Sequence, residues 1–217
     1  MIRARVVAVT QPTEVSGIPA DPEALVAYCA RVSNPDNQAN HGTADRLLRY
    51  LQREGHWSPF EMASAVVEVE CPRDIARQLL RHRSLKFQEF SQRYAAAPGF
   101  VQRSARRQDT ANRQASHDDL PAWKLAGWVA AQRALIAMTT ATYRTALRVG
   151  VAKETARTIL PEGCTMSRLY VHGDLRSWIH YLAVREGNGT QAEHVELARA
   201  IRAALAPHFP LTMEGPK

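Results

Sequence analysis

The sequence predicts an α+β fold: a mixed or antiparallel sheet flanked by helices, with a helical block inserted midway, in a single domain covering residues 1–217. Three observations predict it. Alternating or valine-rich stretches recur at residues 2–9, 63–71 and 165–172, with helical patterns between them. A polar, arginine-rich stretch at 95–118 has little periodicity and precedes a long helical pattern. A chain of 217 residues with 45% hydrophobic content can bury one sizeable core.

The elements follow in order. Ile2, Ala4, Val6 and Ala8 alternate, so residues 2–9 read as a strand with those four on one face. Pro12, Gly17 and Pro19 mark a loop. Asp21 caps and Pro22 opens a helix reaching about residue 32. Asn34-Pro35-Asp36-Asn37 breaks the chain, and a second helix over 43–54 is closed by Gly55. Residues 63–71 carry Glu68 and Glu70, which makes one strand face wet. Pro72 and Asp74 start a helix to about residue 83, with Ile75, Leu79 and Leu80 on its apolar stripe. Gln78, Arg81 and His82 form its polar stripe.

Asp118, Asp119 and Pro121 open the long helix; Trp128, Leu135 and Met138 mark its buried face and Gly150 ends it. A short helix from Lys153 stops at Pro161, and residues 165–172 form a strand. Asp174 caps a helix carrying Leu175, Trp178, Ile179 and Leu182 on one face. The last helix spans 191–206, with Leu197, Ile201 and Leu205 spaced by four.

Composition narrows the function classes. The formal net charge of +7 points to an anionic partner. No run of about 18 apolar residues suits a membrane span, and the first residues lack a signal peptide's apolar stretch. The expected location is cytoplasmic, with no membrane partner. Cys29, Cys71 and Cys164 are odd in number and far apart, so buried reduced thiols are expected, with neither disulfide nor zinc. The eight histidines form no pair at metal-ligand spacing, so no metal is expected. Neither glycine-rich phosphate-loop pattern occurs.

Chemistry concentrates in Arg81-His82-Arg83-Ser84-Leu85-Lys86-Phe87-Gln88-Glu89-Phe90-Ser91-Gln92-Arg93-Tyr94. Guanidinium forks suit phosphate oxygens. Glu89 could accept from a sugar hydroxyl or neutralise an unused arginine. Cations at a helix end are also favoured by the dipole alone, which would account for Arg81, His82 and Arg83 but not for Glu89, Ser91 and Arg93 beyond them. Three further stretches carry matching side chains: His56, Ser58 and Glu61 in one connection; Arg157 one turn before Pro161; and Arg176 with His180 on one helix face, with Arg185 near that helix's end.

Arg-His-Arg followed after seven residues by Ser resembles the signature of the flavin-dependent thymidylate synthases, here Arg81-His82-Arg83 through Ser91 and on to Tyr94. The chain also resembles that family at Ala30-Arg31-Val32-Ser33, from His56 to Glu61, from Arg157 to Pro161, from Leu175 to Arg185, and at Gln191 and Glu193. The resemblance implies conversion of dUMP to dTMP, with methylenetetrahydrofolate as carbon donor, FAD as hydride carrier and NADPH as reductant. It implies a homotetramer with active sites between subunits. It places Ser33, His56, Ser58, Glu61, Arg81, His82, Arg83, Ser84, Glu89, Arg176 and His180 at FAD. It places Gln78, Arg81, Glu89, Phe90, Ser91, Arg93, Arg157 and Arg185 at dUMP. Ser91 and Arg93 would hold the phosphate, aided by Arg157. Arg185 would face the pyrimidine; Ser91 looks like a nucleophile, but nothing in the sequence supplies a neighbouring base; and His56 would orient folate or flavin, or help shield the site.

The chain departs from the family pattern at Lys86 and Gln88, at Met62, at Asp174 where asparagine is usual, and at Gly189. Two other readings compete. A nucleic-acid binder is supported by Arg103, Arg106, Arg107 and Arg113 but lacks a recognition motif or aromatic platform, and that cluster reads as a solvated loop or folate-side lid. A repurposed flavoprotein acting on another nucleotide would fit the substituted flavin positions.

Overall fold

The computed structural model describes residues 2–14, 17–187 and 189–215. The chain begins with β1 (Arg3–Val9), α1 (Pro22–Ala30), α2 (Ala44–Arg53), β2 (Ser64–Pro72) and α3 (Arg73–Leu79). It continues with β3 (Lys86–Glu89), the two-residue strands β4 (Arg107–Gln108) and β5 (Ser116–His117), and the long α4 (Ala122–Arg148). It closes with α5 (Lys153–Ala156), β6 (Met166–Asp174), α6 (Leu175–Arg185), α7 (Ala192–Leu205) and α8 (Pro210–Glu214).

Four strands pair in the order β1-β2-β6-β3, every neighbour antiparallel. The expected α+β class holds, and the mixed-or-antiparallel alternative resolves to antiparallel. In β2, Ala65, Val67, Val69 and Cys71 are buried while Glu68 and Glu70 stay on the wetter face. Leu169 and Val171 of β6 extend the buried face, which packs with Ile75 and Leu79 of α3, Trp178 of α6 and Ile201 of α7 in one core cluster. Removing such apolar surface from water is the main stabilising term.

Several expectations change on the folded chain. A register shift between Val6 and Ala8 in β1 reverses the alternation, so Ala8 is exposed and Val9 packs on the core. A bulge inserts one residue and swaps the faces beyond it. Helix α1 ends at Ala30, not 32, and Asp21 caps it by accepting from the Glu23 N–H at 2.9 Å. Helix α3 ends at Leu79 rather than 83, because the chain must turn to place Leu85 in the core and pair β3 with β6. Helix α8 has no counterpart in the sequence reading; buried Glu23 supports it by accepting from the Leu211 and Thr212 N–H groups at 3.2 and 2.7 Å.

The face of α4 is the largest correction. Trp128, Leu135 and Met138, expected to be buried, are 48%, 40% and 65% exposed. Gln132, Thr139 and Tyr143 are the buried residues instead. The helix docks by polar bonds: Gln132 accepts from the Arg103 N–H at 2.8 Å, and Tyr143 Oη accepts from the Ala97 N–H at 3.3 Å. Asp118 and Asp119 do not cap it, since Asp119 instead takes the Arg107 guanidinium at 2.6 Å.

Segment 95–118, polar and without periodicity, is nevertheless tied to the rest of the fold. Arg103 reaches Asp74 at 2.9 Å, and Arg106 reaches Glu193 at 2.7 Å, so these two arginines are not part of a solvated cluster. The three thiols are free, but only Cys71 is fully buried, its thiol pushed up to about 12 by burial, then by Asp74 and Glu89. Cys29 and Cys164 are half-buried, contrary to expectation.

Candidate active site

The site is built where the chain leaves α3. The His82 N–H donates to the Leu79 carbonyl at 3.0 Å and the Leu85 N–H to the His82 carbonyl at 3.1 Å, forming a tight double turn. Leu85, 2% exposed, seats this turn on the junction of β6 and α6. Gly173 makes room for it: a Cβ there would lie 2.4 Å from Leu85 Cδ2 and 3.2 Å from Trp178 Nε1.

The turn carries His82 to the end of α6, where Arg185 Nε donates to His82 Nε2 at 2.7 Å. That ring nitrogen must accept, so the ring proton resides on Nδ1. Burial, then the nearby Arg185 and His180, hold His82 down at about 4, so it is neutral at physiological pH. Its ring meets Tyr181 edge-on at 4.9 Å. Arg185 is half-buried, and its two terminal nitrogens make no hydrogen bond among the described residues.

Strand β3 delivers Glu89 to a different environment. Arg73 and Arg77 donate to it at 3.3 and 3.0 Å, and Ser167 Oγ at 3.0 Å. Of the two roles open to Glu89 in the sequence, the folded chain shows the neutralisation of arginines. Beyond β3, Phe90 is half-buried and its N–H donates to the Arg168 carbonyl at 2.8 Å. Ser91 Oγ accepts from the Arg93 N–H at 3.3 Å; it has no histidine or carboxylate partner among the described residues. Arg93 reaches Glu154 of α5 at 3.3 Å, and Arg157 follows one turn later. Arg157, Arg73, Thr158 and Gln92 line one recess of about 380 Å³. Gln92 is 5% exposed, and its Nε2 has no partner among the described residues.

On the other side of α6 lies a cleft of about 870 Å³. Trp57, Ile179 and Ala183 give it apolar walls, and Glu61, Ser84, Arg176 and His180 give it polar ones. Arg176 is bonded to Glu61. Asp174 also borders this cleft, but its Oδ1 accepts from the Ser177 N–H at 2.7 Å, so its charge caps α6. Ser58 begins the turn that carries Glu61, and exposed His56 stands just before it with Tyr50 edge-on at 5.9 Å. Ser33 borders a separate cleft of about 670 Å³ with Arg31, Arg46 and Arg53. Arg81 and Arg83 are exposed on this protomer. One chain therefore gathers Glu61, Ser84, Arg176 and His180 in one place and Arg157 with the stretch after Ser91 in another, but leaves Ser33, Arg81 and Arg83 apart from both.

A model of the family described as thymidylate synthase complementing protein matches residues 15–211. The chain belongs to that family. It is 47% identical to a flavin-dependent thymidylate synthase of Synechocystis sp. over 95% of both chains. It is 46% identical to a probable flavin-dependent thymidylate synthase of Paramecium bursaria Chlorella virus 1, again over 95% of both. Among solved structures, it resembles a UMP/dUMP methylase PolB from Streptomyces cacaoi bound with 5-Br dUMP, at 28% identity and a TM-score of 0.82, covering 99% of this chain and 93% of that one.

In this member of the thymidylate synthase complementing protein family, several site-lining groups escaped the sequence reading. Arg73 and Arg77 are spaced by four on α3, a pattern that places them on one helix face but to which the sequence reading gave no role. Gln92 lies inside the signature at a position with no assigned role. Buried Tyr181 and His194 read simply as helix residues, and nothing sequential joins them. Gly189, a departure from the family pattern, has φ +84°, which glycine adopts without strain.

Proposed function

We propose that the chain converts dUMP to dTMP by reductive methylation at uracil C5, with methylenetetrahydrofolate as carbon donor. The bond between Arg185 and neutral His82 carries this reading, supported by the relatives' names. Carbon 5 of uracil is a weak nucleophile, and its attack builds negative charge on a ring carbonyl oxygen. A fixed cation beside that oxygen stabilises the transition state more than the ground state. His82 holds the Arg185 guanidinium in place without adding a second charge.

Ser91, Arg93 and Arg157 hold the nucleotide phosphate, and Ser91 does not act as a nucleophile, since no base adjoins it among the described residues. Gln78 and Phe90 border the same nucleotide. Arg73 and Arg77 absorb the charge of Glu89, so it does not repel the phosphate. The 870 Å³ cleft fits FAD, with an apolar wall for the ring system and Arg176 with His180 for phosphates. A flavin held by these residues would supply the hydride that reduces the transferred carbon, with NADPH as its reductant. Ser33, His56, Ser58, Glu61 and Ser84, with Arg81 and Arg83, complete the FAD contacts once neighbouring copies assemble.

Assembly supports that completion. Trp123, Trp128, Leu135 and Met138 are large apolar side chains exposed along α4, and exposed apolar surface is what contacts between copies cover. We read it as a contact between copies in a homotetramer whose sites lie between subunits. Residues 1–217 act as one catalytic domain, and the cytoplasm, where its substrates are made, is its compartment; no helix of the described residues is long and apolar enough to cross a membrane. The test is the flavin absorption spectrum of the purified protein with and without dUMP, combined with tritium release from 5-tritiated dUMP. A band that shifts on adding dUMP, with tritium released, is the expected result. Yellow protein that releases no tritium would sink the proposal.

A further inference from the structure

A line of side chains runs behind the proposed nucleotide site, from the loop after β3 to α6. Arg106 donates to both Glu193 oxygens at 2.7 Å, and Arg103 lies 3.3 Å from Oε2. Gln191 Nε2 donates to Glu193 Oε2 at 3.0 Å. Gln78 Nε2 donates to Gln191 Oε1 at 2.7 Å. His194 Nδ1 stands 3.1 Å from Gln78 Oε1, and His194 Nε2 stands 3.2 Å from Tyr181 Oη. His194 is 0% exposed.

The line has one self-consistent direction, set at its charged end. An ionised carboxylate only accepts, so Glu193 draws the Gln191 amide nitrogen toward itself. That turns Gln191 Oε1 to Gln78, which answers with its own amide nitrogen. Gln78 Oε1 is left to accept, so His194 must present a protonated Nδ1. A neutral imidazole then has an accepting Nε2, and the Tyr181 hydroxyl donates to it. Burial raises the Glu193 carboxyl, but the Arg106 bond, its own backbone N–H, Arg103 and Gln191 outweigh it and hold the group at about 2. Burial, then Arg185 and His82, keep His194 at about 3. Both ends therefore keep these states near neutral pH.

We propose that His194 is a positioning residue for the nucleotide: by donating from Nδ1 it fixes which way the half-buried Gln78 carboxamide faces. Reversing that amide would exchange a donor for an acceptor at the nucleotide. It would also set the Gln78 oxygen against the Gln191 oxygen. His194 never touches the substrate. It acts through Gln78, and Tyr181, which it accepts from, in turn meets His82 edge-on. This inference rests on the proposed placement of Gln78 at dUMP.

The experiment measures dUMP affinity of the FAD-loaded protein by flavin absorbance, for His194→Leu, His194→Asn, Gln78→Ala and the double variant Gln78→Ala with His194→Leu. His194→Leu removes the donor and is expected to weaken dUMP about tenfold, the scale of one buried hydrogen bond, with flavin affinity retained. His194→Asn offers an amide donor at nearly the same place and should stay within about threefold of the parent. In the Gln78→Ala background, His194→Leu should add nothing. Full additivity, or no rescue by asparagine, would overturn the proposal. If Gln78→Ala itself leaves dUMP affinity unchanged, the placement of Gln78 at the nucleotide fails, and the inference with it. A normal loss in Gln78→Ala with parental affinity in His194→Leu overturns the relay alone. A folding failure of His194→Leu leaves a test on the unaltered holoenzyme: ring ¹⁵N shifts should show His194 neutral and protonated at Nδ1. A proton on Nε2 instead would refute the direction of the line.

Discussion

Arg185 and His82, 103 positions apart in the chain, meet through a 2.7 Å bond from the guanidinium Nε to the imidazole Nε2. The bond requires an unprotonated acceptor, and the surroundings of His82 supply one. A cation is thereby held at the end of α6 against a neutral ring.

Arg185→Ala is expected to lower turnover by about 10²–10³-fold, the scale of losing one preorganised charge donor, while dUMP affinity falls much less. Steady-state kinetics with dUMP titrations separate the two. An equal loss in both would mean that Arg185 binds substrate and transition state alike.

Arg93→Ala removes a phosphate ligand of the proposed site, next to Ser91 and bridged to Glu154 of α5. Calorimetry should show dUMP binding lost, with FAD still bound. Undiminished dUMP affinity would remove Arg93 from the site.

Acid should loosen the fold through two histidines. His82 is held at about 4 and His194 at about 3, both below the ordinary value of 6.5. Between those values the unfolded chain binds more protons than the folded one, so stability rises with pH through this window. The contribution is complete above pH 6.5 and is lost as pH falls from there towards 3. Urea midpoints measured from pH 4 to 7 should climb; a flat profile would contradict the neutral assignments.

Gly173→Ala places a methyl group against Leu85 and Trp178. Overpacking of this kind costs about 1–3 kcal/mol, and the displaced Leu85 would shift the turn that carries His82. Thermal unfolding should show a lower midpoint. A variant as stable as the parent would mean that the turn relaxes freely.

Met138→Glu puts a charge on the exposed apolar face of α4. Light scattering should report a smaller particle than the parent protein, and flavin affinity should fall with it. An unchanged mass would place the contact between copies elsewhere.

Much of the fold was legible because local patterns and tertiary demands agree. The alternation in β2 matches its buried and wet faces, and Asp21 and Asp174 cap as their positions foretell. The reading failed where a distant partner outbid local preference. Asp119 is a plausible cap taken by Arg107, and α3 stops early because Leu85 is needed in the core. Trp128, Leu135 and Met138 are apolar at helical spacing, but periodicity cannot say whether their cover comes from this chain or from another copy.

The sequence by itself determined the α+β class, three of the four strands of the main sheet and, through the run from Arg81 to Tyr94, the family to which the chain belongs. Those properties are written in neighbouring residues, because backbone preference and signature motifs act over short spans. Only the tertiary structure decided that Glu89 neutralises Arg73 and Arg77, that His82 accepts from Arg185, and that His194 lies between Gln78 and Tyr181. Hydrogen-bond direction and protonation depend on which groups converge in space and on how much water they lose, and neither is encoded in the spacing of residues along the chain.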